Sequence, residues 1–122
     1  MDVEYLSLDD AVRAIAILGI GPIRDVGLLD SALSRPRASA FGEDAYPTLG
    51  GKVSALVHSL TKNHCLVDGN KRLGWFATTI FCDLNAVEPS VSDDEAFDLV
   101  WEIAGGDLSL THIEERLKLK PV

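Results

Sequence analysis

The chain has 122 residues, 47% of them hydrophobic and 25% charged, the proportions of an ordinary globular domain long enough to bury one core. Eleven lysines and arginines face nineteen carboxylates, a formal charge of −8, which argues against a general nucleic-acid or anionic-membrane binder. The N-terminus is acidic, no apolar run reaches membrane-spanning length, and Cys65 and Cys82 form neither a C-x-x-C pair nor a zinc-finger spacing, so a reduced, cytoplasmic protein is expected.

Ser7 is placed to cap a first helix over Leu8–Leu18, with Asp9 and Asp10 in the turn where the helix dipole favours anions. Leu8, Val12, Ile15 and Leu18 recur at helical spacing, and Gly19, Gly21 and Pro22 end the run. Asp25 caps a second helix, Val26–Ser34, stopped by Pro36. Residues 35–46 lack periodicity and read as a loop. A third helix starts near Pro47 or Thr48 and reaches Lys62, with Val53, Leu56, Val57 and Leu60 as its buried stripe.

The fourth helix spans about Gly69 to Asn85. Leu73, Phe76, Ala77, Ile80, Phe81 and Leu84 give it a wide apolar face, suited to a central helix. Glu88-Pro89-Ser90 breaks the chain, with room for a short extended piece. Ser92 or Asp93 caps a fifth helix through Phe97, Val100, Trp101 and Ala104, ended by Gly105-Gly106. A sixth covers about Leu110–Leu119. No strand alternation is visible, so the expected fold is all-α: one compact domain over residues 1–122, built from about six helices.

Between the third and fourth helices lies His64-Cys65-Leu66-Val67-Asp68-Gly69-Asn70-Lys71-Arg72. Lys71 and Arg72 open a helix whose N-terminal end is already positive, a repulsion that a bound anion would relieve. Outward-pointing amides at the same end make a ready phosphate site. His64 is a natural general base because its ordinary pKa lies near neutrality. Asp68 is a hard oxygen ligand of the kind magnesium takes beside phosphate oxygens. Taken singly, each residue also has a plain structural reading: His64 as a helix end, Asp68 as an N-cap, Gly69 and Asn70 as turn residues. It is the combination that suggests phosphoryl or nucleotidyl transfer, which needs a base, a metal and phosphate donors together.

The segment resembles the active-site motif of the Fic/Doc superfamily. Its Fic branch reads H-x-F-x-[D/E]-G-N-G-R-x-x-R, and its Doc (death-on-curing) branch is close to H-x-F-x-D-x-N-K-R. His64, Asp68, Asn70, Lys71 and Arg72 stand in register with the Doc form, with Leu66 for the usual Phe. Further similarity lies in Ile23-Arg24-Asp25, Gly27-Leu28-Leu29, Ala32-Leu33, Arg35-Pro36, Tyr46-Pro47-Thr48 and the run from Leu60 to His64. Lys71 replaces the second Fic glycine, and Trp75 replaces the second arginine. In Doc-type proteins that change accompanies a reversed nucleotide pose and transfer of the γ-phosphate instead of AMP.

The resemblance therefore implies a helical toxin of a toxin–antitoxin system that phosphorylates a Ser/Thr hydroxyl on a protein, with translation elongation factor Tu as the family's known type of target. ATP is the implied substrate and Mg2+ the implied cofactor. His64 would take the hydroxyl proton and Asp68 would hold the metal. Gly69 amides and Asn70 would bind phosphate oxygens, and Lys71 and Arg72 would clamp the phosphate chain. The implied partners are the protein substrate and an antitoxin whose amphipathic C-terminal segment lies in a groove beside the site; no direct nucleic-acid partner and no membrane are implied, and the compartment is the bacterial cytoplasm. Fic-type AMP transfer and a non-catalytic antitoxin-binding module are the alternatives.

Elsewhere, His58 and His112 read as structural. Cys65 reads as no nucleophile, because side chains adjacent in sequence diverge. Arg24, Arg35 and Arg37 are open between docking ATP or substrate and structural roles. Trp75 and Trp101 read as core, and Thr111-x-x-x-Glu115 as part of an ordinary helix.

Overall fold

The computed structural model describes residues 2–122. Helix α1 (Leu8–Leu18) begins with a reciprocal capping box between Ser7 and Asp10, and it ends on Gly19 in the left-handed region (φ 65°). In α2 (Val26–Ser34) the Asp25 carboxylate accepts from the Leu28 amide at 3.0 Å. One 3-10 turn, Arg35–Arg37, follows.

The stretch expected to be a loop then forms a small antiparallel hairpin, β1 (Ser39–Ala40) with β2 (Glu43–Asp44). Phe41 and Gly42 both take positive φ at its tip, which is the backbone twist a two-residue hairpin turn requires. Strands two residues long carry no alternation, so the sequence held no period for them.

Helix α3 (Leu49–Lys62) is capped by Thr48, and α4 (Asn70–Leu84) follows the motif loop. A second two-residue pair, β3 (Val87–Glu88) with β4 (Lys120–Pro121), ties the chain end to the turn after α4. It also stops the last helix short of the expected Leu119: α6 is Leu110–Leu117, with Lys118 left-handed behind it. Between them, α5 (Asp93–Gly105) opens on a Ser92–Glu95 capping box.

The core is one apolar cluster drawn from all six helices. The helix after the loop, α4, is central as its apolar face suggested, and α3 shares that place. Val53, Leu56, Val57 and Leu60 are buried as expected, and so are Lys52, Ser54, Ala55, Ser59 and Thr61 around the rest of the helix. Helices α3 and α4 approach closely at Gly74, where any Cβ would collide with the Thr61 hydroxyl.

Several apolar residues face outward instead. Val12 is exposed, because α1 packs through Ala11, Ala14 and Ile15, whose two alanines let the helix sit close. Leu84 is exposed at the end of α4. Phe97 and Trp101 are 59% and 53% exposed, since α5 buries Ala96, Leu99, Val100 and Ile103. Trp101 is therefore not a core residue, and Trp75 is only half-buried at the edge of the cluster.

Candidate active site

The segment between α1 and α2 holds the motif loop from outside. The Gly21 amide donates to the Asp68 carbonyl at 3.1 Å and the Val67 amide to the Pro22 carbonyl at 3.0 Å. Cys65 offers its carbonyl to the amides of Arg24 and Asp25 at 2.7 and 3.1 Å. From inside, Asn70 holds both backbone polar groups of one residue: its Oδ1 accepts from the Leu66 amide and its Nδ2 donates to the Leu66 carbonyl, both at 3.0 Å. One N–H of that side-chain amide is thus committed to the loop, which leaves its second N–H and the backbone amide of position 70 as anion donors.

Two backbone positions show how tightly the turn is made. Gly69 has φ 96°, and a Cβ on it would lie 2.6 Å from Cβ of Ile20. Only glycine fits both the angle and the space. His64, with φ 51°, is left-handed without being glycine, a conformation that costs energy and concentrates at functional sites. Arg24 stabilises it, its Nε and Nη2 both donating to the His64 carbonyl at 2.9 and 2.5 Å. Arg24, left open in the sequence, has a positioning role here.

Helix α4 starts without a side-chain cap and without an acidic residue in its first turn. Asp68 therefore does not cap it, and the first amides of α4 lack intrahelical partners. Lys71 and Arg72 add two cations to this positive end. Arg72 Nη2 donates to the Leu18 carbonyl at 3.2 Å, at the negative end of α1. Lys71 Nζ sits 4.5 Å from the centroid of the Trp101 ring. Asp68, Gly69, Asn70, Lys71 and Arg72 all line one cavity of about 590 Å³, whose far wall is apolar and includes Trp75, Phe76, Phe97, Val100 and Trp101. His64 is exposed on the same loop and lies outside that lining.

No group of three or more His, Cys, Asp or Glu able to hold a metal exists among the described residues. Two carboxylates, Asp68 on the loop and Asp93 at the start of α5, line the cavity; so small a donor set fits magnesium that arrives with phosphates and keeps much of its water, not a closed protein cage.

The remaining candidates have structural explanations. Burial pushes the Cys65 thiol up, and that of Cys82 up to about 12, so neither is a ready thiolate. Arg35 donates to Tyr46 Oη, His58 Nδ1 and Ser59 Oγ, each at 2.8 Å, tying the turn after α2 to α3. Arg37 lies over the Tyr5 ring at 5.1 Å. Burial, then the charges of Arg35 and Lys62, hold the His58 pKa below its ordinary value. His112 sits in the first turn of α6, its Nδ1 3.3 Å from the capping Ser109 hydroxyl, and Thr111 and Glu115 belong to the same helix.

Two features escaped the sequence reading. Lys52 is buried, its ammonium donating to the Pro36 carbonyl at 3.1 Å and to Asp44 at 3.3 Å; burial opposes its charge, but Tyr5 and Asp44 keep its pKa raised. The aromatic wall of the cavity was hidden because Phe97 and Trp101, four apart, look like a core stripe.

A sequence profile of the Fic/DOC family matches residues 5–82, from the approach to α1 through most of α4. The chain belongs to the Fic/DOC family. It is also 45% identical over 118 residues to a protein named Toxin Doc from Mycolicibacterium smegmatis, a match covering 93% of this chain and 91% of that relative. The Fic/DOC match contains the whole motif loop and the uncapped start of α4. The aromatic residues of α5 that close the cavity lie beyond it.

Proposed function

We propose that this chain is the toxin of a toxin–antitoxin pair, a phosphotransferase that moves the γ-phosphate of ATP to a Ser/Thr hydroxyl of a translation factor resembling elongation factor Tu, and so arrests translation in the bacterial cytoplasm. The name of the 45%-identical relative supports the toxin reading. The observation that carries the chemistry is the uncapped start of α4. Free amides, Lys71, Arg72 and the Asp68 carboxylate line one cavity there, and a polyphosphate supplies the negative charge they lack.

In this reading His64 takes the proton of the target hydroxyl as its oxygen bonds to the γ-phosphorus. The bond from that phosphorus to the bridging oxygen breaks, and ADP leaves. Asp68 would hold Mg2+, which when bound neutralises charge on the phosphates. Lys71 and Arg72 attract the phosphate oxygens, Arg72 through a planar fork and Lys71 as a compact charge. Asn70 and Arg24 keep the loop in shape. The bulk and charge of Lys71, where a Fic nucleotidyltransferase has glycine, favour γ-phosphoryl over AMP transfer.

The apolar wall from Trp75 to Trp101 suits an amphipathic antitoxin segment laid across the cavity. Its exposed rings, Phe97 and Trp101, are the kind of anchor such a segment buries.

Induction in a bacterial host tests the catalytic reading. The wild-type chain is expected to stop growth, and His64→Ala to abolish the arrest, since a positioned base contributes about 10²–10⁴-fold to rate. Full toxicity of folded His64→Ala would overturn catalysis by this residue.

A further inference from the structure

Lys71 is charged, stands at the positive end of α4 beside Arg72, and has no carboxylate within ion-pairing distance among the described residues. Its ammonium instead lies 4.5 Å from the ring centroid of Trp101 on α5. Trp101 is half exposed, and it is braced one turn earlier by Phe97, whose ring centroid is 5.8 Å away at an interplanar angle of 45°. Both Lys71 and Trp101 line the cavity that holds Asp68.

A carboxylate in the place of the indole would neutralise Lys71 and compete with an incoming phosphate. An aromatic face does neither. It attracts the cation through its quadrupole, and it accepts no conventional hydrogen bond. The N–H groups turned away from the ring stay free, and the four-carbon stem is held before any ligand arrives, which lowers the ordering cost of binding.

We infer that Trp101 is a positioning residue for Lys71: its indole face holds the ammonium at the cavity rim, ready for a polyphosphate. This rests on the phosphate-site reading above, and it makes α5, beyond the stretch matched by the family profile, a part of the site. Phe97 acts through Trp101, by limiting how far the indole can swing.

The test is a double-mutant cycle on the full chain, with inorganic triphosphate as the probe and calorimetry at low salt as the readout. Trp101→Leu is expected to weaken binding about fivefold, the scale of an exposed-to-partly-buried cation–π contact, and Trp101→Phe to restore part of it. Lys71→Met weakens binding by itself, and in that background Trp101→Leu has no further effect. An equal loss from Trp101→Leu in both backgrounds would make Trp101 merely structural and overturn the inference, as would no loss at all.

Proton NMR supplies an arm that does not depend on phosphate binding. The ε-methylene protons of Lys71 should be shifted upfield by the indole in the wild type and not in Trp101→Leu; the absence of that shift in the wild type contradicts the anchor. If the wild type shows the shift yet binds no triphosphate, the phosphate-site reading fails, and with it the role inferred for Trp101.

Discussion

His64 combines a side chain in solvent with a backbone in the left-handed region. A structural histidine gains nothing from that pairing, whereas a base presented to a protein hydroxyl does. The strain also gives the residue a signature separate from its chemistry. His64→Gly relieves the positive φ and His64→Ala does not, so the glycine variant is expected to be the more stable of the two by about 1 kcal/mol, reversing the usual order. Denaturant titration of both variants checks this; alanine as the more stable variant contradicts it.

His58 carries the opposite lesson, a histidine used for structure. Burial, then the charges of Arg35, which donates to its Nδ1, and of Lys62, favour the neutral ring and hold its pKa below the ordinary 6.5. The contribution to stability is then complete above pH 6.5. It is lost as pH falls through the lowered folded value, because the unfolded chain takes up the proton first. Wild-type stability minus that of His58→Gln, measured across about pH 5–8, should be largest at the alkaline end and shrink toward the acid end. A difference that grows with acid contradicts the assignment.

The residue types of the candidate site were legible in the sequence, and its supports were not. Imidazole, carboxylate and cations announce themselves by type and spacing. That Arg24 clamps the His64 carbonyl from forty residues away depends on long-range geometry that no local pattern encodes, and that Asn70 turns its side chain back to Leu66, four residues earlier, depends on a turn geometry that residue types alone do not show.

Among the elements, the helices were legible because their signals are local: Ser7, Asp25, Thr48 and Ser92 each cap where a helix begins. The two-residue strands were not, since their pairing is made by turns and chain ends. Helix faces were read only in part. Phe97 and Trp101 look like a core stripe until the cavity beside α5 is seen, and α1 chose alanines over Val12 because close approach mattered more than bulk.

The α3–α4 contact shows the same preference for closeness. Gly74→Ala adds a methyl against the buried Thr61 hydroxyl, which has no hydrogen-bond partner among the described residues. Overpacking costs about 1–3 kcal/mol, against at most about 1 kcal/mol regained from helix propensity, so net destabilisation is expected. Adding Thr61→Ala removes both the clash and the orphan hydroxyl. Thermal unfolding should therefore show the double variant recovering most of the loss, and a double variant no better than Gly74→Ala contradicts the contact.

Over the whole molecule, α3 and α4 form the frame and the loop between them carries the proposed catalytic residues, with α1 and α5 flanking the start of α4. Arg72 reaches across to the end of α1 and Lys71 to Trp101 of α5, so the turn that opens α4 is tied to both neighbours. The chain's charge of −8 sets this small positive site in an anionic surface, which favours a partner segment carrying some basic residues. The apolar wall continues from the same site, so a partner lying on it also covers the proposed catalytic turn.

Transfer of the terminal phosphate by this turn leaves a label that AMP transfer does not. Incubating the protein and a bacterial lysate with ATP labelled at either the α or the γ position separates the two reactions. Label is expected in a protein band only from γ-labelled ATP, and not with His64→Ala. Label carried only from the α position would make the enzyme an AMP transferase and contradict the reading of Lys71.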